Sequence, residues 1–335
     1  MNIGVAYDLR RDYLSQGYEP EQVAEFESDG TVAALEQTLR GLGHDVDMIG
    51  NGRTLCRRLA VGDRWDVVFN IAEGLAGRCR EAQVPALLEL YGIPYTFSDP
   101  LVCAATLDKS VAKRIVSGAG LPTPAFGVVR ALSDSRRLSL SYPVFVKPLA
   151  EGTGKGIDSC SRVTCLADLC TVCAGLLRRF PEGLLVEKYL PGTEFTVAVL
   201  GNGRKARAIG SITIEIMNRN ARGIYSYDMK ETCETNVRYR PMPEGRLRRE
   251  GEALAVEIYR LLECRDVARL DFRLDASGRP SFMEVNPLPG LNPEHSDLPM
   301  IAAQEGMSYT ELIGAILDAA CERTGVRTCR PAVMY

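Results

Sequence analysis

The chain has 335 residues, a formal net charge of −3, 46% apolar residues and 25% charged ones. That is ordinary globular composition, long enough for two or three domains with buried cores, and its dispersed Lys and Arg leave no footprint for a nucleic-acid partner. No run approaches the ~20 apolar residues that span a bilayer, and the opening MNIGVAYDLRRDYL lacks the basic segment and apolar core of a secretory leader.

Ile3–Tyr7 reads as a short apolar strand. Thr31 is the expected cap of a helix carrying Val32, Leu35, Leu39 and Leu42 on one face, ended by Gly41 and Gly43. His44–Ile49 and Trp65–Ile71 read as strands with a helical stretch between them. Helix Gln83–Tyr91 and strand Ile93–Thr96 follow. Strands alternating with helices predict a parallel sheet covered on both faces, so residues 1–98 form a first α/β domain.

A second α+β unit is expected over 99–190: helix Asp108–Gly118, the rigid exit Leu121–Pro124, strand Val144–Lys147, a glycine-rich stretch, a helix over 166–180 and strand Leu184–Glu187. From Glu194 to the end, 191–335, the pattern turns antiparallel. Strands Phe195–Leu200 and Ala206–Ile216 flank Gly201–Gly203, followed by a polar stretch over 217–240, a helix over 247–262, a hairpin, and a last helix over 308–322.

Eleven cysteines, an odd number, do not form the pattern of a disulfide framework, so a cytoplasmic chain with reduced thiols is expected. Cys160, Cys165, Cys170 and Cys173 cluster, and Cys170-x-x-Cys173 suggests metal or redox chemistry. The period of the segment instead puts Leu169, Val172, Leu176 and Leu177 in a helical core stripe, with cysteine as a small apolar residue.

The hairpin carries the most chemistry. Val267–Leu274 and Pro280–Asn286 flank Asp275–Gly278; with the turn on Ser277 and Gly278, Asp271 lies opposite Glu284 and Arg269 opposite Asn286. Arg269, Asp271, Glu284 and Asn286 then share one face, while Leu270, Phe272, Leu274, Met283 and Val285 take the buried one. Carboxylates on an exposed sheet face are often merely solvated. Two carboxylates and an amide converging in a small space also suit a hard cation such as Mg²⁺, completed by phosphate oxygens. Pro287, Pro289, Gly290 and Pro293 hold the following backbone irregular just beyond a strand end, where open α/β architectures bind ligands.

Glu151, Gly152, Thr153, Gly154, Lys155 and Gly156 follow the strand that ends in Lys147. Glycines let several N–H groups point into one concavity and bind phosphate, although a flexible hairpin tip reads the same way. Lys147 lies inside an apolar strand and needs an anionic partner, either a structural carboxylate or a nucleotide phosphate.

The run RLDFRLD…FMEVNPLPGLNPEHSDLPMIAAQEGMSYTELI resembles the C-terminal signature of the D-alanine–D-alanine ligases, members of the ATP-grasp superfamily. The resemblance runs from about Trp65 to Ala320. It implies a three-domain α/β ATP-grasp architecture with an N-terminal parallel-sheet domain, a cytoplasmic homodimer, and small amino-acid substrates. It also implies ATP and Mg²⁺ (or Mn²⁺). By resemblance, Lys109 and Lys147 reach ATP phosphates under the loop Glu151–Gly154. Glu187, Lys188, Tyr189 and Leu190 form the hinge beside adenine, where backbone groups of Lys188 and Leu190 read the base edge, and Glu194 takes the ribose. Asp271, Glu284 and Asn286 hold metal; Arg269 and the Gly290 N–H meet the oxyanion; Lys230 and Ser296 hold the second substrate's carboxylate.

The implied reaction is ATP-driven joining of a carboxylate to an amine through an acyl phosphate. The first-substrate end departs from the family. Ala6–Arg11 lacks the ligases' glutamate, Gly77–Glu81 puts Arg80 where an acid is usual, Glu231 stands where the ligases have tyrosine, and the loop Leu291–Ser296 is one residue longer. The expectation is a ligase whose carboxylate donor is not D-alanine, with Arg80 or Arg10 meeting an additional acid on it. Alternatives are an authentic D-alanine–D-alanine ligase, a non-catalytic ATP-binding regulator, or another ATP-grasp chemistry.

Overall fold

A computed structural model describes residues 1–216 and 237–327. Lys230 and Glu231 lie outside the described residues. Strands β1 (Asn2–Tyr7), β2 (Asp45–Gly50) and β3 (Val67–Ile71) form a parallel sheet in the order β2-β1-β3. Helices α1 (Arg10–Leu14), α2 (Asp29–Gly41), α3 (Gly52–Ala60) and α4 (Gln83–Leu90) accompany it. The cap of α2 is Ser28, which accepts the Thr31 N–H at 3.1 Å, so Thr31 sits inside the first turn rather than capping it. The expected strand Ile93–Thr96 makes only a bridge to Val68: Pro94 has no N–H to extend a ladder, and Phe97 turns the chain at φ 72°.

Helices α5 (Pro100–Leu107) and α6 (Lys109–Gly118) lead into a second sheet of order β4-β7-β5-β6: β4 (Phe126–Val129), β5 (Val144–Pro148), β6 (Arg162–Val163) and β7 (Leu184–Lys188). Short helix α7 (Leu132–Ser135) and long α8 (Leu166–Arg179) belong to this half. Leu169, Cys173 and Leu176 of α8 pack on Val144, Val146 and Val186, so Cys173 is a core residue.

The third sheet, order β10-β9-β8-β11-β12, is antiparallel: β8 (Glu194–Leu200), β9 (Arg207–Ile216), β10 (Val237–Pro241), β11 (Val267–Leu274) and β12 (Pro280–Asn286). One face packs Phe195, Leu270, Phe272 and Phe282 under α9 (Arg246–Leu261), with Phe195 and Phe272 stacked at 5.3 Å. Along β8, Ala198 and Leu200 point the other way. There they meet α10 (Asp297–Gln304) and α11 (Tyr309–Thr324) in a core that continues through Leu312 and Ile316 into Ile3, Val5 and Phe69 of the parallel sheet. That shared core fixes the first sheet against the third, leaving a cleft where both meet the second. No helix among the described residues is long and apolar enough to cross a membrane.

Candidate active site

The hairpin β11–β12 has the expected register, Arg269 opposite Asn286 and Asp271 opposite Glu284. Asp275 shapes its turn by accepting the N–H groups of Ser277 (2.8 Å) and Arg279 (3.0 Å). A bulge then pairs Phe272 with Phe282, leaving Met283 as the extra residue. Phe282 takes the core place expected of Met283, and Met283 turns into the cleft.

Arg269 grips Asp271 through Nε (3.0 Å) and Nη2 (2.9 Å) and reaches Asp297 with Nη1 at 3.1 Å. Thr196 Oγ1 donates to Asp271 at 2.6 Å, and Asn286 Nδ2 lies 3.3 Å from the same carboxylate. Glu284 faces two ammonium groups, Lys109 at 3.4 Å and Lys147 at 3.7 Å. Lys147 also pairs with Glu187 at 3.1 Å, and Glu187 with Lys113 at 2.9 Å. Burial opposes charge on all three. Glu187 and Glu284 nevertheless hold the Lys147 ammonium above its ordinary range, and Lys113 with Lys147 keeps Glu187 ionised below its own. Burial wins at Lys113 and brings it down to about 8, despite Glu187.

Two cavities meet here. The smaller, about 90 Å³, has apolar walls of Phe145, Ile157, Leu190 and Met283 and polar ones including Lys147, Glu187, Lys188, Tyr189 and Glu194. The larger, about 250 Å³, is lined by Gly152, Thr153, Asn286, Gly290, Ser296 and four glutamates of its own, Glu25, Glu27, Glu73 and Glu81. Lys109, Glu151, Arg269, Glu284 and Asp297 belong to both walls. The cavities therefore bring together every described residue expected at the nucleotide, metal, oxyanion and acceptor sites, while Arg80 and Arg10 line neither. Lys188 contributes less than its position suggests: its ammonium binds the carbonyls of Ser141 and Tyr142, and its N–H donates to Ala125. Arg273 lies 3.4 Å from Glu194 and over the Tyr189 ring.

The glycine loop is fastened from the first sheet's side. Glu25 accepts the Gly152 N–H and pairs with Lys155 at 2.8 Å and with Arg80 through both oxygens at 3.0 Å. Gly154 (φ 76°) and Gly156 (φ 70°) take left-handed backbone, and Thr153 does too at φ 49°, its Oγ1 buried without a hydrogen-bond partner. Arg80 also donates to the Ala150 carbonyl at 2.7 Å, and Arg10 to that of Ala24 at 2.8 Å. Arg80 and Arg10, expected to meet an acid on the donor, thus have partners within the protein.

The larger cavity is acidic for a different reason. Glu73 and Glu81 share a hydrogen bond; burial and the neighbouring carboxylates push Glu73 well up, and burial takes Glu81 to about 7 against the pull of Arg80. Burial also raises Glu27 to about 7. At Glu25 burial is outweighed by Arg80 and Lys155, and its carboxyl stays low. Sequence reasoning passed over these four glutamates, Lys113 and Asp297. Glu73 had one signal, a carboxylate beside Gly74 just past the end of β3. Lys113 had another, standing one helical turn after Lys109.

On the far side, Ser296 Oγ accepts the Asn292 N–H at 3.0 Å, and a Cβ on Gly290 would stand 2.8 Å from that oxygen. Gly290 therefore permits a close approach at the start of α10.

The family described as D-ala D-ala ligase C-terminus matches residues 115–318. An uncharacterized protein of Sinorhizobium fredii is 32% identical, the match covering 88% of each chain. A D-alanine–D-alanine ligase of Bordetella avium is 36% identical over 87% of this chain and 89% of its own. Among solved structures, a D-alanine–D-alanine ligase from Bacillus anthracis superposes with a TM-score of 0.74 at 22% identity, covering 97% of this chain and 99% of that one.

Proposed function

Because the chain belongs to the D-alanine–D-alanine ligase family, of ATP-grasp fold, we propose that it joins the carboxylate of one amino acid or related acid to the amine of another at the expense of ATP. The observation that supports this best is the convergence of Asp271, Glu284 and Asn286 with Lys109 and Lys147 where two cavities share a wall.

The smaller cavity takes the nucleotide. Its apolar walls suit a flat base, Glu194 the ribose, and Lys147 with Lys109 the phosphates. The glycine loop covers those phosphates and excludes water from the acyl phosphate. The two carboxylates and amide fit a divalent cation of the Mg²⁺ or Mn²⁺ type, which when bound neutralises charge on the phosphate oxygens.

In the larger cavity the donor carboxylate lies against the γ-phosphate and takes it, forming the mixed anhydride as the β–γ bond breaks and ADP leaves. The acceptor amine then attacks the acyl carbon and phosphate leaves. Arg269, pinned between Asp271 and Asp297, faces the oxyanion that forms, together with the Gly290 N–H. Ser296 at the start of α10, with Lys230, receives the acceptor's carboxylate.

The donor differs from that of the family by the acids that meet it. With the glutamate after β1 missing and Arg80 bonded to Glu25, the groups open to the donor are Glu27, Glu73 and Glu81. They suit a cationic donor, its ammonium included. A homodimer in the cytoplasm is part of the same reading. The test is phosphate release and product mass with paired amino acids, diamino acids among the donors. Turnover is expected with cationic donors. Robust activity with D-alanine alone removes the altered donor, and ATP binding without ADP production under any mixture favours a regulatory protein.

A further inference from the structure

Lys113 lines neither cavity, and no step above uses it. It stands in α6, one turn past Lys109, with no solvent exposure. Its ammonium donates to Thr123 Oγ1 and to the Phe282 carbonyl, each at 3.0 Å, and forms an ion pair with Glu187 Oε2 at 2.9 Å. A buried ion pair is weak evidence of stabilisation, because apolar side chains of similar volume often serve as well. What such a group supplies is direction.

Both ends it touches lead to the nucleotide site. Glu187 turns its other oxygen to Lys147. Phe282 is the residue before the bulge at Met283 and two before Glu284. It lies on β12, the edge strand of its sheet among the described residues, and its polar groups are held by α6 and the segment that leads into the second sheet. Its N–H donates to Pro122 at 2.8 Å, and its carbonyl accepts from Thr123 at 2.9 Å as well as from Lys113. A bulge bends a strand and re-aims the next side chain, so fixing Phe282 fixes where Glu284 points.

We propose that Lys113 is a positioning residue which sets Glu284 through the Phe282 carbonyl, and Lys147 through Glu187, and so registers the metal end of the nucleotide site to its phosphate end. This rests on the reading of Glu284 as a metal ligand.

Calorimetric titration of ATP, with Mg²⁺ and with chelator, tests it without requiring turnover. In the unaltered protein Mg²⁺ should tighten ATP binding; no tightening would sink the reading of the site itself. In Lys113→Met the Mg²⁺-dependent tightening should fall by about tenfold, since small displacements at a polyvalent site are costly. A purely structural lysine would lower the melting temperature and leave that ratio within about twofold, which overturns the inference. Should Lys113→Met fail to fold, Lys113→Met combined with Glu187→Gln leaves no lone buried charge. Compared with Glu187→Gln alone, it should lose a further severalfold of the Mg²⁺ effect through Phe282; no further loss overturns the inference.

Discussion

At the nucleotide cavity Glu187 has Lys113 and Lys147 within reach, and Glu284, on the wall it shares with the other cavity, has Lys109 and Lys147. In the donor cavity Glu25 is matched by Arg80 and Lys155, but Glu73 and Glu81 bond to each other. Charges of alternating sign keep Glu187 ionised between Lys113 and Lys147. In the second cavity, burial and neighbouring carboxylates raise Glu73, and burial raises Glu81. On the proposed reading, the first region suits an anion and its metal, and the second something positive.

The comparison breaks most directly at the metal position. Glu284→Gln should leave the fold intact while turnover falls by ~10²-fold or more, the usual scale for removing transition-state electrostatics; steady-state phosphate release checks it. Next is Lys147→Ala, which deletes a charge-assisted contact to phosphate and should raise the ATP dissociation constant about 10- to 100-fold, read by calorimetry. Glu25→Ala tests the fastening of the glycine loop. Phosphate released per bond formed should rise severalfold as water reaches the acyl phosphate, and trypsin should cut after Lys155.

The smallest effect is in pH. Glu81 and Glu27 have folded-state values near 7, above the ordinary carboxylate value, so the folded protein holds their protons more tightly than the unfolded chain. Their contribution to stability is complete below the unfolded value and is lost as pH rises through 7. The ligand-free melting temperature should therefore drop by a few degrees between about pH 6 and pH 8. Glu81→Gln should flatten that drop, and a cationic donor should reverse it. A flat profile in the unaltered protein would mean that these acids are already paired.

The nucleotide half was the more legible. A two-residue period and a turn at Ser277 and Gly278 set which side chains of β11 and β12 share a face, and both strand ranges were read correctly. The bulge escaped because Met283 and Phe282 are equally apolar, and only packing against Phe272 chooses between them. Helix α5 escaped although Asp99 and Pro100 are a good cap and first position; Asp99 accepts the Val102 N–H at 2.9 Å. The donor half was less legible: Arg80's partner Glu25 lies 55 residues away along the chain.

What the sequence determined by itself was local: alternation, turn chemistry, glycine placement, and a lysine in an apolar strand. Each depends on neighbours within a few residues, and such neighbours are visible in one dimension. Which charges cancel was decided only by tertiary structure. Lys113 and Phe282 are 169 residues apart, and Glu25 and Gly152 are 127 apart. Until three sheets packed around one cleft, nothing distinguished an arginine that would meet a substrate from one already bonded to its own protein.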